Sequence, residues 1–180
     1  MSDINKYIEK IKYLETKPLS SDDMLRALGY KCNLITYSEI KNYKNINDIL
    51  GKYNKCILLY ETKKNYGHWT CIYKNHTKNT IFFFDSYGFI IDDQLDFIPK
   101  NNKKMLNSNY RYLTNLLYKS KCRIEYNQYQ LQKMNPSIAT CGRWVIARLA
   151  YIELSVDEFY YNFEDIKNKD FYITVLTDNI

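Results

Sequence analysis

The chain has 180 residues, 46% of them hydrophobic and 16% aromatic, which is enough to bury a core without staples and is read as one domain over 1–180. Five cysteines, an odd number without close pairs, exclude a disulfide framework and a zinc site, and a reducing compartment fits them best. The net charge of +6 comes from lysines scattered in pairs such as Lys63-Lys64 and Lys103-Lys104, so it permits a non-specific DNA partner without requiring one.

Met1 to Leu14 is charged throughout, which excludes a signal peptide, and no apolar run approaches membrane-spanning length, so a soluble intracellular protein is expected. In the same stretch Ile4, Ile8 and Ile11, with Tyr7 and Leu14, share one face behind Ser2 or Asp3 and predict a packing helix. Pro18 closes that segment. Ser20-Ser21-Asp22-Asp23 then reads as a cap with first-turn acids, opening a short helix Met24 to Leu28 that stops at Gly29. A short strand is expected over Leu34 to Tyr37, and Asn45 or Asn47 caps a helix Asp48 to Leu50 closed by Gly51. Cys56 to Tyr60, His68 to Tyr73 and Thr80 to Phe84 predict a meander of three strands.

Ser86 to Pro99 reads as a loop. Tyr110, Leu113, Leu116 and Leu117 predict an amphipathic helix from Asn107 to Lys119, and Cys122 to Tyr126 one more strand. A polar loop, Gln128 to Thr140, leads into the stretch Cys141 to Ile152, where only Arg143 and Arg148 interrupt an apolar run. A helix apolar on nearly all sides is packed through the middle of a domain. Ser155 caps the last predicted helix, which carries Phe159, Phe163 and Ile166.

The chemistry-bearing residues fall at the ends of these elements. Cys141 opens the central helix, where unpaired backbone N–H groups and the helix dipole favour a thiolate nucleophile; the alternative is a buried structural cysteine. Of the two histidines, His76 lies in the polar turn Lys74-Asn75-His76-Thr77-Lys78 and is read as exposed and inert. His68 starts an apolar strand, with Gly67 allowing close backbone approach and Trp69 offering a wall. The next strand runs through three phenylalanines into Asp85-Ser86-Tyr87-Gly88. If the two strands pair, Asp85 comes beside His68 and can fix its tautomer; taken alone, Asp85 reads better as the turn residue of an Asp-Ser-x-Gly turn. An imidazole, a carboxylate and a helix-start cysteine together make the set of a thiol hydrolase, with no metal site.

Gly67-His68-Trp69, Phe84-Asp85-Ser86-Tyr87-Gly88, Gln132 and Thr140-Cys141-Gly142-Arg143 resemble, in that order, the clan of adenovirus maturation protease (adenain) and the ubiquitin-like-protein-specific proteases. The likeness extends to Leu19-Ser20-Ser21-Asp22-Asp23-Met24 and is nearest to the maturation proteases of virophages and Polinton-type elements. It implies an α+β adenain-like cysteine protease fold, a small mixed sheet packed against a central helix bearing the nucleophilic cysteine. Carried over residue by residue, Cys141 is the nucleophile, His68 the base, Asp85 its orienting acid and Gln132 an oxyanion donor beside the Cys141 N–H. Adenovirus proteases have Glu where Asp85 stands, and the spacing from Gln132 to Cys141 is longer here, so the loop Lys133 to Thr140 must bulge at Asn135-Pro136-Ser137.

The resemblance further implies a monomer that cuts capsid or structural protein precursors after small residues, often Gly, in a groove that Trp69 helps to wall. It implies work in the virion and the host cytoplasm (viral factory), away from membranes, without a required cofactor, DNA or a peptide being admissible as an activator. The alternative substrate class is host conjugates of ubiquitin or SUMO, cut by a deubiquitinase-like or deSUMOylase-like isopeptidase. An inactive binding module on the same scaffold, for nucleic acid as an example, would not need all of His68, Asp85 and Cys141.

Overall fold

The computed structural model describes residues 3–75 and 78–180. In chain order its first half carries α1 (Asp3–Glu15), α2 (Ser21–Ala27), β1 (Asn33–Thr36), α3 (Ile46–Leu50), β2 (Lys55–Lys63), β3 (Tyr66–Asn75) and β4 (Thr80–Phe84). The second half carries α4 (Lys100–Met105), α5 (Tyr112–Lys119), β5 (Arg123–Tyr126), α6 (Cys141–Ala150), α7 (Val156–Tyr161) and α8 (Lys169–Leu176). The fold is α+β, built on one mixed sheet in the order β1-β2-β3-β4-β5. The expected meander β2-β3-β4 is antiparallel, and β1 and β5 flank it, each parallel to its neighbour.

Alternation along the strands divides the core in two. Ile57, Leu59, Trp69, Cys71, Tyr73, Phe82 and Phe84 belong to one cluster, with Trp144, Val145 and Leu149 of α6, Met24 of α2 and Phe159 of α7. Cys56, Leu58, Tyr60, Ile72, Ile81 and Phe83 belong to the other, with Ile46, Ile49 and Leu50 of α3 and Leu113, Leu116 and Leu117 of α5. Both faces are buried, which is why these strands read as continuous apolar runs. All of α6 from Cys141 to Leu149 is buried, both arginines included. Arg148 donates to the carbonyls of Tyr151 and Leu154 and to the Tyr73 hydroxyl, and Arg143 donates to the carbonyl and hydroxyl of Thr177. These bonds offset the cost of burying the two guanidinium groups, although Arg143 Nε is buried without a partner among the described residues.

Caps hold the short helices where the sequence places them. Ser20, Asn45 and Ser155 each accept from the N3 backbone N–H and donate their own backbone N–H to the N3 carboxylate, which completes a capping box. Other expectations shift. The apolar stripe of α1 is only partly covered: Ile11 is buried, whereas Ile4 and Tyr7 are exposed. The helix expected from Asn107 begins at Tyr112, because Asn107 adopts a left-handed backbone. α7 ends at Tyr161, although Phe163 beyond it still packs in the core. α4 and α8 were not expected, and the segment Ser86 to Pro99 contains a 3-10 turn, Asp93–Phe97. Ser2 and His76 lie outside the described residues. Among the described residues no helix is long and apolar enough to cross a membrane.

Candidate active site

The site forms where β3, the end of β4 and the start of α6 meet. Cys71 pairs with Phe84, so continuing the register sets Asp85 opposite Thr70 and diagonal to His68 on the same face, within side-chain reach. His68 Nε2 lies 2.8 Å from Asp85 Oδ1. Asp85 is fully buried and receives two further bonds, from the Tyr87 N–H at 2.8 Å and the Gln94 amide at 3.0 Å. A carboxylate surrounded by donors is an acceptor, so the imidazole carries its proton on Nε2 and leaves Nδ1 for another partner. The Asp85 backbone is itself clamped by Asn127, which accepts from its N–H and donates to its carbonyl.

Two glycines make this approach feasible. A Cβ on Gly67 would lie 1.9 Å from the Tyr60 carbonyl oxygen, so only glycine lets β2 and β3 close up beside His68. Gly88 has φ +77° and closes the turn after Asp85, its N–H donating to the Asp85 carbonyl, while the Tyr129 backbone passes where a side chain would stand.

Cys141 is the first residue of α6. Thr140 does not cap this helix; its hydroxyl donates instead to Asp170 of α8 at 2.5 Å. The first-turn N–H groups are therefore left for whatever occupies the cavity in front of them. That cavity has a volume of about 400 Å³ and is lined by His68, Tyr87, Gln132 and Cys141 among others. Burial alone would lower the His68 pKa. The charge and hydrogen bond of Asp85, then those of Cys141, outweigh it and push His68 up to about 10. Burial raises the thiols of Cys32, Cys56 and Cys71, which keeps them protonated and inert.

Gln132 is fixed by its oxygen end. The Ser86 hydroxyl donates to Gln132 Oε1 at 2.7 Å, and the Gln132 N–H donates to the Ser86 carbonyl at 2.9 Å. This leaves the side-chain NH₂ with only long contacts, 3.4 Å to the Tyr87 hydroxyl and 3.4 Å to the Ile138 carbonyl. The loop between Gln132 and Cys141 turns back at Asn135, whose side chain accepts from Ser137 N–H and whose carbonyl accepts from Ile138 N–H. Gln130 and Gln128 do not line the cavity; Gln130 donates to the Gln132 carbonyl.

Trp69 is the sequence-stated wall that sits elsewhere. Its ring is 5% exposed, its indole N–H donates to the Leu19 carbonyl, and it lines an adjoining recess of about 630 Å³ with Pro18, Leu19 and Leu59 instead of the cavity that holds Cys141. Strand alternation turns Trp69 to the α6 side of β3, where it packs near Gly142.

No family model matches the chain. It is 41% identical over 152 residues to the "Uncharacterized protein V9" of Sputnik virophage, an overlap covering 84% of this chain and 86% of that one. The chain belongs to the V9 family. A solved structure, the C-terminal Ulp1 protease domain in complex with Smt3, the yeast orthologue of SUMO, is similar at a TM-score of 0.42 and 14% identity, over 90% of this chain and 77% of that one. At that level the likeness carries no argument, and the reading of this V9-family member rests on its own geometry.

Sequence reasoning missed several residues that build the site. Ser86 and Tyr87 stood in a quoted motif without a role; Ser86 holds Gln132, and Tyr87 stacks on His68 with ring centroids 4.4 Å apart. Gln94, Asn127 and Asp170 come from three separate segments. Each stands among other polar residues, so no local pattern singles it out.

Proposed function

We propose that this V9-family protein is a cysteine endopeptidase. The observation that carries the reading is the convergence, in one cavity, of a helix-start thiol, an imidazole tied to a buried carboxylate, and an amide held by its oxygen end. The Cys141 proton passes to His68 Nδ1, the nitrogen that Asp85 leaves free, before the attack, and Sγ then attacks the scissile carbonyl as the thiolate of a thiolate–imidazolium pair. The carbonyl oxygen becomes an oxyanion, which the Gln132 NH₂ and the Cys141 N–H stabilise. Collapse breaks the C–N bond, and His68 returns the proton to the departing amine. Water, deprotonated by His68, then hydrolyses the thioester and releases the thiol.

The substrates are structural protein precursors of a virus, cut after a small residue. Kinship with a virophage protein supports a viral setting, and the resemblance of the motifs to maturation proteases supports the substrate class. The test is co-expression with the capsid and other structural proteins of the same genome, followed by mass spectrometry of new termini. Wild type should create termini that follow small residues, and Cys141→Ala should create none. Identical termini with both proteins would refute the proposal. If no capsid protein is cut but a ubiquitin-like vinyl-sulfone probe labels Cys141, the enzyme is a deconjugase instead.

A further inference from the structure

A ladder of aromatic rings leads away from the imidazole. Tyr87 stacks on His68 at 4.4 Å and 12°, Phe89 lies 5.8 Å from Tyr87, and Phe97 stacks on Phe89 at 4.9 Å and 11°. All three line the cavity that holds Cys141. The outermost ring, Phe97, is 58% exposed, although Leu95 and Ile98 on either side of it are buried.

Phe97 is not exposed through slackness. The 3-10 turn that carries it starts at buried Asp92, whose carboxylate accepts from the Tyr60 hydroxyl and from the N–H and hydroxyl of Thr114. Arg111 then grips the turn through Asp93 at 3.1 Å and Asp96 at 3.2 Å. These bonds fix the turn, and Phe97, stacked on Phe89, keeps its other face open to solvent beside the cavity. Fixed exposed apolar surface of this kind marks a binding site.

The chemistry says which part of a substrate would lie there. The departing amine must take its proton from His68, so the segment following the scissile bond leaves on the imidazole side, where the ladder begins. We propose that Tyr87, Phe89 and Phe97 form the subsite for the residues after the scissile bond, and that it selects a large apolar side chain two to four residues beyond the cut. This rests on the endopeptidase reading above. An extended chain advances about 3.3–3.6 Å per residue, so each ring-to-ring step matches one to two residues. The preferred substrate is a continuous polypeptide, because a lysine side chain leaving from a folded surface places no residues in register with the ladder.

The experiment offers the full-length protein a pool of random-sequence peptides, identifies the cuts by mass spectrometry, and then compares two matched peptides with Phe or Ser at the favoured position after the cut. Wild type should prefer the Phe peptide by about tenfold in kcat/KM, mainly through KM. Phe97→Ser should bring that ratio close to one, and Phe97→Leu, which keeps an apolar surface, should restore most of it. Wild type that cuts both peptides equally, or Phe97→Ser that keeps the full preference, would overturn the inference while leaving the endopeptidase intact. Cuts made equally by Cys141→Ala would instead overturn the endopeptidase reading and the inference with it.

Discussion

At the residue scale the His68–Asp85 contact governs the pH behaviour. Burial opposes the imidazolium, and the Asp85 charge and hydrogen bond more than reverse it, so the folded-state pKa lies above the ordinary value of about 6.5. With the pKa raised, the pair's contribution to stability is whole below pH ~6.5 and is lost as pH climbs through the folded value. In the proposed mechanism the imidazolium is also the acid for the leaving amine, so the alkaline limb of kcat/KM should lie well above neutrality in wild type. In Asp85→Asn the charge is gone and burial dominates, and the limb should move down by at least about one pH unit, read from a pH–rate profile. An unmoved limb would mean that Asp85 does not set the His68 proton. His68→Ala should lower kcat by on the order of 10²–10⁴ and be the worse of the two, since it removes the base altogether.

Gln132 gives a second prediction at this scale. Its oxygen is held by Ser86 and its NH₂ has only long contacts, so Gln132→Ala should lower kcat by on the order of 10²–10³ with KM little changed. Gln128→Ala and Gln130→Ala should cost far less, because neither side chain lines the cavity. A large kcat loss at either, with Gln132→Ala near wild type, would reassign the donor. His68, Asp85 and Cys141 were legible because each stands at the end of an element with its own apolar signature. Tyr87 and Gln94 were not, because stacking on His68 and donation to Asp85 depend on how a loop folds back, which leaves no periodic trace.

At the element scale the junction between α8 and the start of α6 decides whether the cavity keeps its shape. Buried Asp170 accepts from the Thr140 hydroxyl at 2.5 Å, the Lys133 N–H at 2.9 Å and the Trp144 indole at 3.3 Å. One carboxylate therefore ties both ends of the loop between Gln132 and Cys141 to the C-terminal helix. Asp170→Ala would leave three donors without this partner and should cost about 3 kcal/mol or more in urea unfolding. A loss under about 1 kcal/mol would show that the loop is held by other contacts. The strands and the capped helices were readable from apolar runs and from Ser20, Asn45 and Ser155. α8 was not, because buried Asp170 and Thr174 break its apolar pattern, and the Asp170 carboxylate finds its donors only in the fold.

At the scale of the whole molecule, the two-faced burial of the sheet leaves the strand ends and helix start at one edge, where the proposed chemistry would take place. The alternation that fills both cores also sends His68 and Trp69 to opposite sides of β3, and Trp69 lines a second recess beside the cavity of Cys141. The position of a strand end was legible in the sequence, but which of two neighbouring side chains enters the cavity depends on sheet register. The most direct test of the account is stepwise alkylation with iodoacetamide near neutral pH, with the modified cysteines mapped by mass spectrometry and cleavage measured at each step. Cys141 should be modified ahead of Cys32, Cys56, Cys71 and Cys122, and activity should fall in proportion to its modification and reach zero when it is complete. Activity that survives full alkylation of Cys141 would contradict the account.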